Sequence, residues 1–457
     1  MLPSGLTDRF LDFLLAIVNS LRSICMSVRK ILHAADVHLD SPMRNLEAYP
    51  DAPVDAFQGA TRRALGNLVN LAIDQQVDLV VIAGDLYDGD WDDAHTGLHF
   101  VGQATRLRDA EIPLVVIRGN HDAALRMTRS IGLPANPDGS AIMLSHDRVD
   151  MRVFDSVGIA VHGRSFANKA ETSDLSIDYP SPIVGMFNLG LLHTCLTGSE
   201  GHENYAPTQP DRLAAKGYDY WALGHIHDRR ECHAPGQAPI VFSGNVQGRH
   251  IREVGAKGCL ILEIDAHNRI RSQFHALDVA RWAAFRHDAT QDSSTDDLLD
   301  AFRDWLTDEL AAAEQRPLAV RVRVQGRTPL HATLHRQSIG LENELRSLAL
   351  QIGSGQVWIE SLRLRTTGPA QSQPASAADM AATGVDDSLR QVFAECRGDQ
   401  WRERIETWLK PLWDRLPPAL VGDAAEPFSP REPELVRRWI DQVEPELLGR
   451  LQDGEED

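Results

Sequence analysis

The sequence lacks three features that would assign it to a familiar class of protein. Its five cysteines form no CxxC pair and have no regular spacing, so they indicate neither a disulfide framework nor a thiolate metal site. No stretch approaches the roughly 20 apolar residues that a membrane-spanning helix requires. The net charge of -19 is unlike that of most nucleic-acid-binding chains, which have basic surfaces. We therefore expect a soluble cytoplasmic protein without a membrane segment.

The charge is, however, distributed unevenly along the chain. Residues 318–366 contain 7 Arg and 3 acidic residues, a net charge of +4. Residues 386–457 contain 10 basic and 18 acidic residues, a net charge of -8. A locally basic module inside an acidic chain remains compatible with nucleic-acid binding, because arginines on phosphates supply affinity that does not depend on base sequence.

Residues 1–27 are predicted to be an N-terminal extension. Residues 10–18 are apolar apart from Asp12, but their flank is poorly basic and no small-x-small cleavage site follows, unlike a secretory signal peptide. The segment fits either an amphipathic helix or residues upstream of the true start. Because Met26 directly precedes a strand-like run at 28–34, we expect Met26 to be the native start.

Five short apolar runs lie at 30–34, 79–82, 114–117, 189–192 and 220–223. Short apolar runs bounded by turn residues are typical of buried strands, and intervening helical patterns predict an α/β layered sheet. Each run is followed by polar residues. Ligands of such sheets bind beyond the carboxyl ends of the strands, so we expect these polar residues to converge at one edge.

The polar residues form five motifs, in the order Asp-x-His, Gly-Asp, Gly-Asn-His-Asp, His and Gly-His-x-His. Taken singly, most are weak, because Asp-x-His and Gly-Asp are common in ordinary turns. The last motif is the strongest, since alternate residues of an extended backbone point the same way. The ordered set, each member behind an apolar run, is very hard to reach by chance. Its side chains are Asp36, His38, Asp85, Asn120, His121, Asp122, His193, His225 and His227.

These residue types suit a centre of two divalent ions. Imidazole, carboxylate and amide ligands without cysteine favour manganese, iron or zinc; we expect Mn²⁺, with Fe²⁺ and Zn²⁺ as alternatives. Two ions roughly 3.5–4 Å apart can clamp the attacking and leaving oxygens of a phosphoester. A ligand shared by both ions needs negative charge, which suits Asp85. The leaving oxygen needs a proton donor, and His121 is the candidate.

The motif set resembles the calcineurin-like metallophosphoesterases, and within them the DNA-repair nucleases typified by bacterial SbcD, over about residues 29–265. The resemblance implies a layered β-sandwich flanked by helices, with two ions that share Asp85. The first ion would also bind Asp36, His38 and His227. The second would bind Asn120, His193 and His225. His121 matches the catalytic histidine, and we expect Asp122 beside it to be catalytic as well.

Two further stretches, DVHLDSP at 36–42 and GNVQGRH at 244–250, resemble the YhaO-like branch of these nucleases. By that resemblance, Arg249 and His250 are expected to approach the scissile phosphate; a structural loop is the alternative. Ser/Thr phosphatases carry an Arg just after the Gly-Asp-x-x-Asp segment, which ends here at Asp88. This chain has Gly89 at that position, which disfavours a protein phosphatase.

The resulting prediction is a metal-dependent DNA exonuclease or endonuclease acting in repair or recombination. A small-molecule phosphodiesterase or phosphatase acting on nucleotides or other phosphoesters is the alternative. A non-enzymatic scaffold is a third reading, which the complete set of ligands disfavours.

The predicted domains are a catalytic domain at 28–275, a small α+β capping domain at 276–366, a flexible linker at 367–385 and a helical region at 386–457. The capping domain resembles the one that contacts DNA in these nucleases. The helical region has apolar, Trp-bearing stripes, which suit binding to a partner helix. The resemblance implies DNA, an SMC-like ATPase subunit of the SbcC/YhaN kind and a second copy of the chain as partners.

Overall fold

The computed structural model describes residues 28–41, 59–88, 94–123, 131–196 and 205–369, together with residue 57 and scattered residues between 392 and 443. The chain divides into two compact units between Arg281 and Trp282. The predicted N-terminal extension, the linker beyond residue 369 and most of the predicted helical region lie outside the described residues. No helix in the described part of the chain is long and apolar enough to cross a bilayer.

The first sheet of unit 1 is built on three parallel strands, β1 (Arg29–Ala34), β2 (Leu79–Ala83) and β3 (Leu114–Ile117). Two antiparallel strands, β10 (Gly258–Ile264) and β11 (Ile270–Ala276), extend it on the β1 side. The strand order is β11-β10-β1-β2-β3. The predicted boundary of the catalytic domain at residue 275 therefore falls inside β11 of this sheet.

The second sheet of unit 1 contains six strands: β4 (Asp150–Phe154), β5 (Ile159–Gly163), β6 (Phe187–His193), β7 (Tyr220–Gly224), β8 (Arg230–Glu231) and β9 (Ile240–Phe242). Their order in the sheet is β4-β5-β6-β7-β9-β8. The central strands β5, β6, β7 and β9 are parallel, and the edge strands β4 and β8 are antiparallel to their neighbours.

The two sheets pack face to face because their strands are apolar on both sides. Successive side chains of a strand point to opposite faces, so Ile31 lies in the core between the sheets and Leu32 in the core on the outer face. The outer face is covered by α1 (Ala60–Asp74) and α2 (His95–Asp109). On the far side of the second sheet, Trp221 packs with Leu213 of α3 (Pro210–Ala214). The predicted sandwich flanked by helices is confirmed.

Unit 2 contains a sheet of β12 (Arg281–Asp288), β13 (Leu318–Arg327) and β14 (Val357–Thr367), in that order. Its helices are α4 (Thr295–Ala312), α5 (His331–Arg336) and α6 (Ser338–Gly353). A capping box formed by Ser294 and Asp297 begins α4. The valines of β13 pack against Phe302 of α4 and Leu345 of α6. Residues 318–367 therefore run from a strand through two helices to a second, parallel strand.

Candidate metal centre

The five motifs of the sequence lie just past the carboxyl ends of five strands. Asp36 and His38 follow β1, Asp85 follows β2, and Asn120 and His121 follow β3. His193 is the last residue of β6, and the two histidines of the final motif follow β7. Because parallel strands of the two facing sheets end at the same side of unit 1, residues as far apart along the chain as Asp36 and His227 meet at one place.

Among the residues that the structure describes, three groups of side chains offer ligand atoms within 4.8 Å of one another: first Asp36, His38 and His227, second Asp36, Asp85 and His193, and third His38, Asp88 and His121. The Nε2 atoms of His38 and His227 are 3.2 Å apart, so both rings point at one position. His38 and Asp36 are buried. Burial, the leading influence, raises the pKa of Asp36, since removal from water disfavours its charged form.

Asp85 belongs to the second group and also lies close to His38 of the first, as a carboxylate shared by two ions would. Its Oδ2 atom is 3.4 Å from Nε2 of His193 and 3.8 Å from Nε2 of His38. Its Oδ1 atom accepts the backbone N–H of His121 at 2.9 Å. Burial alone would raise the pKa of Asp85, but the adjacent imidazoles, His193 foremost, hold it well below its usual range. The carboxylate is therefore ionised and available as a ligand.

His193 and Asn120 stand together on the second side of Asp85. The Nδ1–H group of His193 donates to the carbonyl oxygen of Ala83 at 2.9 Å, which leaves Nε2 facing Oδ1 of Asn120 at 3.0 Å. Burial lowers the pKa of His193, but the Asp85 carboxylate outweighs it and raises the value to about 9. The ring of His225 lies 5.3 Å from that of His193, and its backbone N–H donates to Asp36 at 3.1 Å.

The backbone is strained where these side chains are presented. Asp36, His38, Asp85 and His225 have φ angles of 51°, 45°, 48° and 101°. Non-glycine residues seldom occupy this left-handed region, and such residues cluster at functional sites where the surrounding structure holds them. The hydrogen bonds from Asp36 N–H to Gly84 O at 3.1 Å and from His38 N–H to Asp85 O at 3.0 Å hold the first two turns.

The glycines of the motifs are required because the ligands approach the backbone closely. A Cβ atom on Gly119 would collide with Oδ1 of Asp85 and with the ring of His193. A Cβ atom on Gly84 would strike the same ring, and one on Gly224 would strike the carbonyl oxygen of Ala83. A side chain at any of these three glycines would therefore displace the residues of the centre.

His121 is held by a carboxylate that the sequence did not single out as a site residue. Its Nδ1 atom is 2.7 Å from Oδ1 of Asp88. Burial lowers the pKa of His121, but the hydrogen bond to Asp88 outweighs it and the net pKa is raised. Asp88 also accepts a hydrogen bond from Ser41 Oγ at 2.5 Å. Burial alone would raise the pKa of Asp88, but the hydrogen-bonded His121 and the nearby His38, 3.7 Å away, keep it below its usual range.

Asp122 faces the backbone of the preceding loop. Its two carboxylate oxygens accept the N–H groups of Leu86 at 2.8 Å and Tyr87 at 2.7 Å. Burial, then the charge of Asp85, raises its pKa to about 7. Asp122 thus connects the loop after β2 to the loop after β3, which is a structural contact.

Arg249 and His250, predicted to approach substrate, lie beside the centre. The Arg249 side chain is only 8% exposed and sits 3.4 Å from Asp88 and 3.2 Å from Glu253. Nε2 of His250 is 3.4 Å from Glu253. The surroundings of Arg249 are therefore carboxylates of its own chain.

Sequence reasoning missed Asp88 and Glu253. The spacing of Asp88 from Asp85 within a Gly-Asp-x-x-Asp segment was the available signal for the first. Glu253 offered none, because it lies in a loop of irregular sequence and reaches His227 only through folding.

The assembled donors fit divalent first-row metal ions. They are imidazole nitrogens, carboxylate oxygens and an amide oxygen, gathered around Asp85. Such borderline ligands suit Mn, Fe or Zn, whereas Mg²⁺ and Ca²⁺ prefer sites made of oxygen alone.

Comparisons with known proteins agree with this geometry. Residues 29–229 match the model of the calcineurin-like phosphoesterases, and residues 282–367 match that of the middle domain of metallophosphoesterase YhaO. The chain is 30% identical over 298 residues to the uncharacterized metallophosphoesterase YhaO of Bacillus subtilis (strain 168), covering 65% of this chain and 72% of that protein.

More distant relatives have been named for DNA repair. The chain is 27% identical over 223 residues to the DNA double-strand break repair protein Mre11 of Sulfolobus acidocaldarius, covering 47% of this chain and 54% of that one. It thus spans about half the length of this relative. A crystal structure of a dimetal phosphatase from Danio rerio matches with a TM-score of 0.34 and 12% identity, over 55% of this chain and 96% of that one.

The motif set, the sandwich, the grouped ligands and the extent of the YhaO match lead to one conclusion. The chain belongs to the calcineurin-like phosphoesterase family and is a metallophosphoesterase, a hydrolase of phosphoesters.

Proposed function

We propose that the chain is a metal-dependent DNA nuclease that hydrolyses phosphodiester bonds in repair or recombination. One arrangement supports this above all others: ligand side chains surround Asp85, while His121 is held separately by Asp88 at 2.7 Å. A centre that binds phosphate oxygens and a nearby proton donor are the two requirements for cleaving an ester with a poor leaving group. The similarity to Mre11 supports DNA as the substrate.

The residues would hold two ions in two sets that share Asp85. Asp36, His38 and His227 complete one set, and Asn120, His193 and His225 complete the other, with Mn²⁺ as the proposed metal and Fe²⁺ or Zn²⁺ as alternatives. When bound, such ions neutralise phosphate charge and activate water for attack.

His121 would donate a proton to the leaving oxygen. Since Nδ1 of His121 is bonded to Asp88, the proton delivered to substrate would come from Nε2. Asp88 favours the imidazolium form, because a carboxylate at this distance stabilises the charged ring. Asp122, whose oxygens accept the backbone N–H groups of Leu86, Tyr87 and Gly119, would contribute to catalysis by keeping the loops of the centre in place.

The sheet of unit 2 offers a surface for the DNA backbone. Val322 and Val324 of β13 are buried in the core with the helices, so the arginines that alternate with them lie on the opposite face. Arg323 pairs in register with Arg363 of β14. Arginines on this face can bind phosphate groups without reading base sequence. Arg321 is also bound to Glu360 through two hydrogen bonds of 2.6 Å.

The proposed partners are an SMC-like ATPase, bound through residues 386–457, and a second copy of the chain. The proposed interface with the ATPase lies largely outside the described residues. Deleting residues 386–457 should abolish co-purification with the ATPase and leave hydrolysis of a small phosphoester intact. Retention of the ATPase by the truncated chain would exclude this assignment.

A small-molecule phosphodiesterase is the second candidate. The net charge of -19 favours it, because an acidic protein repels a polyanion at long range. Both candidates use the same centre, so they differ only in the substrate that is cleaved.

One experiment separates the candidates. The purified full chain is given Mn²⁺ with linear double-stranded DNA, single-stranded DNA or bis(p-nitrophenyl) phosphate, alongside a His121→Ala variant. The nuclease proposal predicts DNA degradation that the variant loses. Hydrolysis of the small ester alone would favour the second candidate, and inactivity with every metal tested would exclude both.

A further inference from the structure

The loop at residues 244–257 wraps around the segment that carries His227. The Nζ atom of Lys257 donates to the carbonyl oxygen of His227 at 3.1 Å, and the backbone N–H of Asn245 donates to the same oxygen at 3.3 Å. These contacts set the backbone position of His227. They leave its ring free to rotate about the side-chain bonds unless another group holds it.

Glu253 is the group that holds the ring. Its Oε1 atom accepts the Nδ1–H of His227 at 2.6 Å. Its Oε2 atom accepts the backbone N–H of Arg249 at 2.6 Å and the side-chain N–H of Asn245 at 3.0 Å. With the residue only 3% exposed, both carboxylate oxygens are engaged and the side chain has little freedom to move.

The hydrogen bond to Glu253 determines which nitrogen of His227 faces the centre. A carboxylate oxygen only accepts, so Nδ1 carries the proton and Nε2 keeps its lone pair. That Nε2 atom lies 3.2 Å from Nε2 of His38, toward the position shared with Asp36. A carboxylate behind a ligand histidine fixes its tautomer and orientation and increases its basicity.

We propose that Glu253 is a positioning residue that fixes the tautomer and ring orientation of His227 and thereby sets metal affinity at the Asp36–His38–His227 position. This inference rests on the metal centre of the proposed function but does not depend on DNA being the substrate.

Arg249 completes the arrangement. A buried carboxylate needs a compensating positive charge, and Nη2 of Arg249 supplies it at 3.2 Å from Oε1 of Glu253. Nη1 of the same guanidinium lies 3.4 Å from Asp88, the partner of His121. Arg249 thus forms ion pairs with the carboxylates that contact His227 and His121, and these carboxylates balance its positive charge.

The test compares Mn²⁺ binding by the full chain in four forms: wild type, Glu253→Ala, Glu253→Gln and Asp278→Ala. Glutamine keeps a carbonyl oxygen that can accept the Nδ1–H of His227. Asp278 is the matched control, since it is 2% exposed and lies 2.7 Å from Arg281 within another acid–arginine pair of the chain. Calorimetry measures Mn²⁺ affinity, and ¹⁵N NMR of labelled histidines in the metal-free protein reports which nitrogen of His227 is protonated.

We expect Glu253→Ala to weaken Mn²⁺ binding at one of two positions by about 10–100-fold and to shift the His227 proton away from Nδ1. Glu253→Gln should recover part of the affinity, because its amide nitrogen cannot accept the N–H groups of Arg249 and Asn245 that Oε2 of Glu253 accepts, and Asp278→Ala should retain it. Wild-type affinity in Glu253→Ala, an equal loss in Asp278→Ala, or no recovery with glutamine would overturn the inference alone. Absence of Mn²⁺ binding by the wild type would instead overturn the proposed function together with it.

Discussion

Replacing Asp88 by asparagine removes the charge that stands against His121 but preserves the size of the side chain. The contact is 2.7 Å, and the Asp88 side chain is 13% exposed, so water screens it weakly. A hydrogen bond to a charged group contributes about 1.5–3 kcal/mol and a neutral one about 0.5–1.5 kcal/mol. The substitution should therefore cost about 1–2 kcal/mol in the transition state for DNA cleavage, a loss of about 5–30-fold in kcat/KM.

The assay compares two substrates that differ in their need for an acid. The sugar oxygen released from DNA is a poor leaving group, whereas p-nitrophenolate leaves readily without a proton. Asp88→Asn should therefore slow DNA cleavage much more than hydrolysis of bis(p-nitrophenyl) phosphate. Asp147→Asn is the matched control, because Asp147 lies 2.8 Å from the partly exposed His146 outside the centre.

The pH profile supplies a second readout with a definite sign. His121 acts while protonated, so activity is present below its pKa and is lost as the pH rises through it. Asp88 raises that pKa despite burial, and its removal should shift the alkaline limb of kcat/KM to lower pH. Equal losses on both substrates with an unmoved alkaline limb would refute the assignment of His121 as the acid.

Three further outcomes are expected. Gly119→Ala should abolish Mn²⁺ binding, measured by calorimetry, because the new methyl group collides with Asp85 and His193; unimpaired binding would contradict the packing. Gly102→Ala in α2 is the control, since its methyl group meets no atom within 4 Å. It should raise the free energy of unfolding by about 0.5–1 kcal/mol, measured by thermal unfolding. Arg363→Ala should weaken DNA binding and lower its salt slope by about 1, checked by fluorescence anisotropy across salt concentrations, with unchanged slopes excluding this face. Burial lowers the pKa of His33 from 6.5 to about 3, so its neutral form stabilises the fold above pH 6.5 and this contribution is lost as the pH falls toward 3. Between pH 7 and pH 5, the free energy of unfolding should fall by about 2 kcal/mol more in the wild type than in His33→Gln. Hydrogen exchange of the β1 amides measures it, and equal falls in both proteins would disprove the shift.

Some strands could not be predicted from local sequence. The five runs that precede the motifs are buried on both faces, so their continuous apolar character was visible without a structure. In contrast, β11 lies at a sheet edge and most of its residues are partly or fully exposed. It has no clear apolar pattern, and its place depends on pairing with β10.

The ligand types, their order and their position behind strands could be read from the sequence, because polar residues that end apolar runs can be recognised locally. The three-dimensional fold was needed to show which carboxylate holds which histidine. Asp88 is 33 residues from His121, and Glu253 is 26 residues from His227. The Gly-Asp-x-x-Asp spacing marks Asp88 but does not identify His121 as its partner, and nothing local marks Glu253, because each pair forms between loops that are distant along the chain. For the same reason, Arg249 could be expected at the substrate from its motif, while folding places its guanidinium between Asp88 and Glu253.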